Sequence, residues 1–399
     1  MARTADYTIQ GFLYQFNKTL LEILRAAGDS VVTVEGIVED IEIVAGDVTT
    51  AIQCKYHESN DAFTLSSIYK PLLQMMEHFH VRSGGKVNYL LYAHFPGLAP
   101  DGIKVTEAEL KTALGSQNKD YQKYIEAVKG ISLDKFLQKF SAEVGLSYDD
   151  LAKEVANELV AAGFDRGEIE TLVYPNAIQT IASLSILHQE QQRKVTKNQL
   201  LADLRQIRVT AITHWTLALK SRHAILAARR KQLKSNLSKN VRSRYFLLHA
   251  DAIDGFDDQA VLLVSDYLDK YHFKASHTRT PVFCINTDPD RFRSIHNRLM
   301  QKDIVANTGV EGDVFREERF IREPLVQKKD GGIRREFSIR LMRFGENNGV
   351  LNNKKGDDLF VLGDGGHDGL DVKDVNVEEL GTASIAEIKY LIGLSDVYE

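Results

Sequence analysis

Along residues 10–27, QGFLYQFNKTLLEILRAA, apolar side chains fall at Phe12, Phe16, Leu20, Ile23 and Leu24. Steps of three and four predict a helix with one apolar stripe, and Gly28 supplies a stop. The period then changes to two. VVTVEGIVEDIEIV and DVTTAIQCKYH are rich in β-branched residues and read as strands, joined by AGD, whose small residues suit a short hairpin turn. A helix over 65–80 and the strand KVNYLLYAHF complete a helix, hairpin, helix, strand unit, and PGLAPDG breaks the chain after it. From about 104 to 235 the pattern is almost wholly helical, as in SLDKFLQKFSAEVGLSYDDLAKEVANELVAAG, with Ser132 and Ser147 as N-caps. Strand signals return in RYFLLHA, TPVFCINTD, REFSIRLMRF and DDLFVLGDG, alternating with helical segments such as QAVLLVSDYLDKY. The chain therefore reads as α/β, with an α/β domain over 1–100, a helical domain over 101–240 and a C-terminal α/β domain over 241–399.

Charges interrupt the apolar context of the hairpin. Residues two apart share a face of a strand, so Asp40 and Glu42 point one way on the first strand, and Gln53, Lys55 and His57 point one way on the second. If the two sets meet, they form a site for a hard divalent cation such as Mg²⁺ or Mn²⁺, which takes one or two carboxylates, an amide oxygen and a main-chain carbonyl while keeping several waters. A lysine beside it can orient a water and stabilise negative charge in a transition state. The competing reading is an amphipathic hairpin whose outer face carries cross-strand ion pairs, each worth under about 1 kcal/mol.

Composition narrows the function classes. The chain of 399 residues carries a net charge of -5, which argues against a protein that coats nucleic acid nonspecifically. The average hides residues 220–244, KSRHAILAARRKQLKSNLSKNVRSR, which hold many cations and no acid. Arg229, Arg230, Lys231 and Lys234 there would track a DNA backbone, or simply form a solvated helix face. Cys54 and Cys284 lie far apart in apolar runs, which excludes a disulfide framework or a cysteine zinc site. No apolar run is long enough to cross a bilayer and the N-terminus lacks a signal-like apolar core, so a cytoplasmic protein with no membrane contact is expected. His57, Glu58, His78, His80 and His94 do not have zinc-site spacing; His57, just beyond Lys55, is better placed to touch DNA. VLGDGGHDG reads as a surface loop and VQKKDGGIRREF as a hairpin with a basic tip. No Walker A sequence is present, so any ATP use would belong to a partner.

Taken together, GFLYQ, EDIEI, IQCKYH and FCINTDPDRF resemble the PD-(D/E)XK nuclease superfamily. The likeness is to its Mrr-like and Cap4-like Q-x-K variants among bacterial anti-phage nucleases, including a type associated with HerA-like ATPases. The resemblance implies a restriction-endonuclease-like N-terminal domain. Asp40 would match the acid of the first strand, Gln53 and Lys55 the Q-x-K, and Gln15 a position on the covering helix often held by Glu. It implies a metal-dependent DNA endonuclease in which Asp40, Gln53 and Glu42 hold Mg²⁺ or Mn²⁺ and Lys55 positions the attacking water. It also implies an effector role in anti-phage defence, self-association, and assembly on a hexameric HerA-like ATPase. Two departures stand out: Gln53 replaces the commoner acid, and Glu39 rather than Pro precedes Asp40. The alternative is a non-catalytic DNA-binding or assembly subunit that retains the nuclease fold.

Overall fold

In the computed structural model the first apolar segment forms helix α1 (Ala2–Arg25). The structure describes residues 2–36, 40–57, 63–81, 86–99, 102–239, 241–274, 277, 279–329 and 332–398. Leu13, Tyr14, Phe16, Leu20, Leu21, Ile23 and Leu24 of α1 are all buried, whereas Phe12 is 41% exposed. The expected single stripe thus fails at Phe12 and is too narrow elsewhere, because α1 packs on the sheet and also on helices Tyr148–Ala161 and Tyr174–Ser185. Burial of each large apolar side chain contributes about 1.5–3 kcal/mol, which makes α1 a core element rather than a surface cover.

Strands β1 (Val31–Val34), β2 (Ile41–Ala45) and β3 (Val48–Tyr56) form an antiparallel meander. The turn between β2 and β3 is tight: Ala45 pairs with Val48, and Gly46 adopts φ +63°, the positive φ that two-residue hairpin turns require. Helix α2 (Tyr69–Val81) then returns the chain so that β4 (Val87–His94) lies parallel to β3. Ile68, Leu72, Leu73, Met75 and Met76 pack with Ala51, Tyr89, Leu91 and Ala93 in one apolar cluster. Two further strands, β5 (Phe140–Val144) beside β4 and β6 (Lys194–Thr196) beside β1, complete the order β5-β4-β3-β2-β1-β6.

The chain divides into two compact units, Met1–Arg208 and Val209–Glu399. This differs from the expected boundaries at 100 and 240. The stretch 101–240 is no separate helical domain: β5 and β6 belong to the first sheet, while helix Arg222–Leu237 belongs to the second unit. The second unit holds a parallel sheet of β7 (Arg244–His249), β8 (Val282–Asn286), β9 (Ala306–Asn307), β14 (Ile339–Arg343), β15 (Asp358–Leu362) and β16 (Asn376–Leu380), in the order β16-β15-β7-β8-β14-β9. Two hairpins stand apart from it, β10 (Val310–Glu311) with β11 (Val314–Phe315) and β12 (Val326–Lys329) with β13 (Gly332–Arg335). The second is the expected VQKKDGGIRREF hairpin; its tip, 330–331, lies outside the described residues. Phe246 stacks between Phe283 and Phe360 at 4.9 and 5.0 Å, so three adjacent strands share an aromatic core. Among the described residues no helix is long and apolar enough to cross a membrane.

Candidate active site

The hairpin register decides whether the charged residues meet. Ile41 lies opposite Ile52 and Glu42 opposite Ala51, which brings Asp40 beside Gln53. The Gln53 Nε2 donates to Asp40 Oδ2 at 2.5 Å, and the Cys54 backbone N–H donates to the same oxygen at 2.8 Å. Oδ1 carries neither bond. The amide is oriented in the protein alone as a donor; turned over, it presents its oxygen instead, an exchange of nearly identical shapes.

Asp40 and Lys55 line a cleft of about 260 Å³ together with Thr8, Gly11, Phe12, Gln15, Cys54 and Tyr56. One wall is thus α1 and the other the C-terminal half of β3. Tyr56 is held there by stacking on Tyr14 at 4.6 Å and on His94 at 5.4 Å. Gln53 sits just behind the rim, 7% exposed. Glu42 is buried two pairs farther along the ladder and does not line the cleft, being packed so closely on Gly36 that a Cβ there would collide with its Cγ and its carboxylate carbon. Glu42 therefore does not stand beside Asp40 as the expected second ligand, since it lies two steps along the ladder.

Glu35, which no sequence motif singles out, also belongs to the site. Its N–H donates to the Asp40 carbonyl at 2.8 Å, extending the β1–β2 ladder by one pair, and its Oε1 accepts from Gln15 Nε2 at 2.6 Å. It also adopts φ +51°, a left-handed conformation uncommon for a residue with a side chain. Its only sequence signal is an acid at the end of a β-branched run, with nothing to show that it would lie opposite Asp40. Burial holds the Asp40 carboxyl above the usual carboxylate range, opposed by the Cys54 N–H, Lys55 and Gln53. Burial and then the Asp40 charge raise Glu35 likewise, while Gln15, Arg193 and Lys55 act the other way. Two desolvated acids at a cleft that Lys55 also lines form a donor set that suits a hard divalent ion, which needs few protein oxygens. Among the described residues no group of three or more His, Cys, Asp and Glu side chains gathers to hold a metal, so the fit rests on carboxylates supplemented by amide and carbonyl oxygens.

Of the other candidates, His57 stacks on Phe95 at 4.5 Å, and burial followed by Lys55 and His94 lowers its pKa. His78 bonds Tyr89 at 2.6 Å and His94 bonds the Gly145 carbonyl at 2.9 Å, so both serve the core of the unit; Glu58 lies outside the described residues. The basic run falls in the second unit. Arg229 is 2% exposed and ion-paired with Glu378, which corrects its expected contact with a DNA backbone: a guanidinium sealed inside cannot reach a phosphate. Arg230 pairs with Asp396 at 2.6 Å and lies 4.4 Å over Tyr390, while Lys231 and Lys234 remain exposed.

Comparison with known proteins adds little. No family model matches the chain, and no curated protein does. Three solved structures of the Acinetobacter baumannii Cap4 SAVED/CARF-domain containing receptor match, one of them described with the cyclic trinucleotide 2'3'3'-cAAA and another with 3'3'3'-cAAA. They are 10–11% identical and cover 88% of this chain and 90% of theirs. Their TM-score is 0.30, and a likeness that loose carries no argument about this chain.

Proposed function

We propose that the first unit is a metal-dependent DNA endonuclease using Mg²⁺ or Mn²⁺. The observation that carries this reading is the meeting of Asp40, Gln53 and Lys55 at one cleft under α1, with Gln15 on its opposite wall. The surrounding order supports it: a helix, a three-stranded meander, a crossover helix and a parallel fourth strand frame an acid just before β2 and a Q-x-K on β3. Asp40 holds the cation, and the Gln53 amide oxygen and Cys54 carbonyl complete the protein side. The bound cation supplies Lewis-acid charge neutralisation and a more acidic water. Lys55 orients the attacking water and balances charge gathering on the phosphate. Gln15 fixes the acidic shell from α1. His57, Lys231 and Lys234 remain candidate DNA contacts.

From the resemblance of its motifs, the chain acts as an effector of anti-phage defence. It works as a homo-oligomer assembled with a hexameric HerA-like ATPase, which places the restraint of a potentially self-damaging nuclease outside the chain. Co-purification with such an ATPase, and its loss on removing the second unit, residues 209–399, would support this assembly; unchanged assembly would count against it.

Plasmid nicking with Mg²⁺ or Mn²⁺ tests the catalytic reading. Wild type is expected to convert supercoiled DNA to nicked and linear forms, and Asp40→Ala and Lys55→Ala each to fall by on the order of 100-fold or more, the scale of removing one group that stabilises the transition state. Equal cutting by the variants would mean a contaminant. A wild type that binds DNA yet never cuts would establish the adaptor alternative.

A further inference from the structure

The superfamily resemblance leaves the site one negative charge short, because Gln53 stands where an acid is commoner. The expected compensator, Glu42, is two ladder steps too far back and wedged against Gly36. Glu35 is nearer. The β1–β2 pairing that sets Val34 opposite Ile41 continues through the Glu35 N–H to the Asp40 carbonyl at 2.8 Å, making the two acids cross-strand neighbours. The Glu35 side chain is tethered by Gln15, which itself lines the cleft with Asp40 and Lys55.

Like charges directly opposite one another on a sheet repel. Here the juxtaposition is also maintained by an unusual backbone: Glu35 holds φ +51°, a conformation that asparagine or glycine would adopt with less strain. A half-buried acid kept against another acid at such a backbone position reads as a place where charge is wanted, since residues in sparsely populated conformations cluster at functional sites.

We propose that Glu35 supplies the second negative charge of the cation site, in place of the acid that the Q-x-K motif lacks at Gln53. This rests on the metal-dependent reading of the cleft given above. Asp40 anchors the cation directly, and Glu35 reaches it or one of its waters from the end of β1. Gln15, donating its amide N–H to Glu35, holds that carboxylate in place. The three residues stand on α1, just after β1 and just before β2, so the site is assembled only when the helix has docked on the meander.

The test is metal binding by the full chain, measured calorimetrically with Mn²⁺ and as the rise in melting temperature on adding Mn²⁺ after EDTA treatment. Glu35→Gln is expected to weaken Mn²⁺ binding at least tenfold. In EDTA it is expected to melt at or above the wild-type temperature, because the repulsion with Asp40 is gone; a purely structural role would lower that temperature instead. Glu42→Gln is expected to weaken binding less than Glu35→Gln does. Glu35→Asp, which keeps the charge on a shorter arm, should give an intermediate effect and carries the test if Glu35→Gln folds poorly. Wild-type affinity in Glu35→Gln, or a larger effect in Glu42→Gln, would overturn the role of Glu35 while leaving the cation site standing. No Mn²⁺ response in the wild type would overturn the site itself, and this inference with it.

Discussion

Arg229 offers a sharp test because its two readings predict opposite phenotypes. In the second unit its guanidinium is buried against Glu378, itself only 5% exposed, and Glu378 also accepts from Asn376 Nδ2 at 2.8 Å. Burial pulls the Arg229 pKa below the ordinary arginine value, and the Glu378 carboxylate pulls it back. Replacing Arg229 by Met would leave a buried carboxylate with only the Asn376 amide for support. Breaking a buried pair from one side costs about 3–5 kcal/mol. For a unit of this size that is a fall in melting temperature on the order of 6–20 °C. The double variant Arg229→Met/Glu378→Leu should recover most of that stability, since a well-packed apolar pair often replaces a buried ion pair at little cost. The assay is thermal unfolding by circular dichroism, run beside DNA gel shifts at two salt concentrations. DNA affinity and its salt dependence should be unchanged in the double variant, whereas an arginine that neutralised a backbone phosphate would, on removal, lower the salt slope by roughly one. A variant that melts like wild type but binds DNA more weakly would refute this reasoning and return Arg229 to the surface.

Three further outcomes are expected. Asp40 and Glu35 both have folded-state pKa values raised by burial, so the stability they contribute is present below their unfolded pKa and disappears as pH rises through the folded one. Asp40→Asn, which keeps an acceptor for Gln53 and Cys54, should therefore gain melting temperature relative to wild type as the solution is taken from mildly acidic to neutral in EDTA; a constant difference would contradict the assigned charge strain. Gly145→Ala would place a methyl carbon 2.2 Å from the Tyr14 hydroxyl and 2.9 Å from the Tyr92 ring, costing about 1–3 kcal/mol by overpacking, to be read by urea unfolding. Burial pushes both the Cys54 and Cys284 thiols up, so a thiol reagent should label neither in the native chain and both in denaturant; fast native labelling would mean that one of these strands opens.

The hairpin is legible in the sequence because strand alternation is a local rule: Asp40, Gln53 and Lys55 meet as their spacing implies, and the AGD turn pairs as its residues suggest. The strands β7, β8, β14 and β15 are equally visible as apolar runs. What escapes depends on distant partners. FSAEV and KVT are too short to carry a period, so β5 and β6 merge into a helical stretch, and the domain boundaries move with them. NVEEL, with two acids, gives no strand signal although β16 closes one side of the second sheet. Arg229 looks like one cation among many, since only the fold sets Glu378 against it. Glu35 is hidden for the same reason, its role depending on a backbone reversal that no spacing rule encodes.

The three-residue β6 has a practical consequence for anyone wishing to isolate the first unit. A fragment trimmed to residues 1–100 would remove both β5 and β6 and strip the outer partner from β4 and from β1 at once. Bare hydrogen-bonding rows of this kind recruit other chains, so such a fragment would be prone to clump. Cutting near Arg208 keeps both flanks closed.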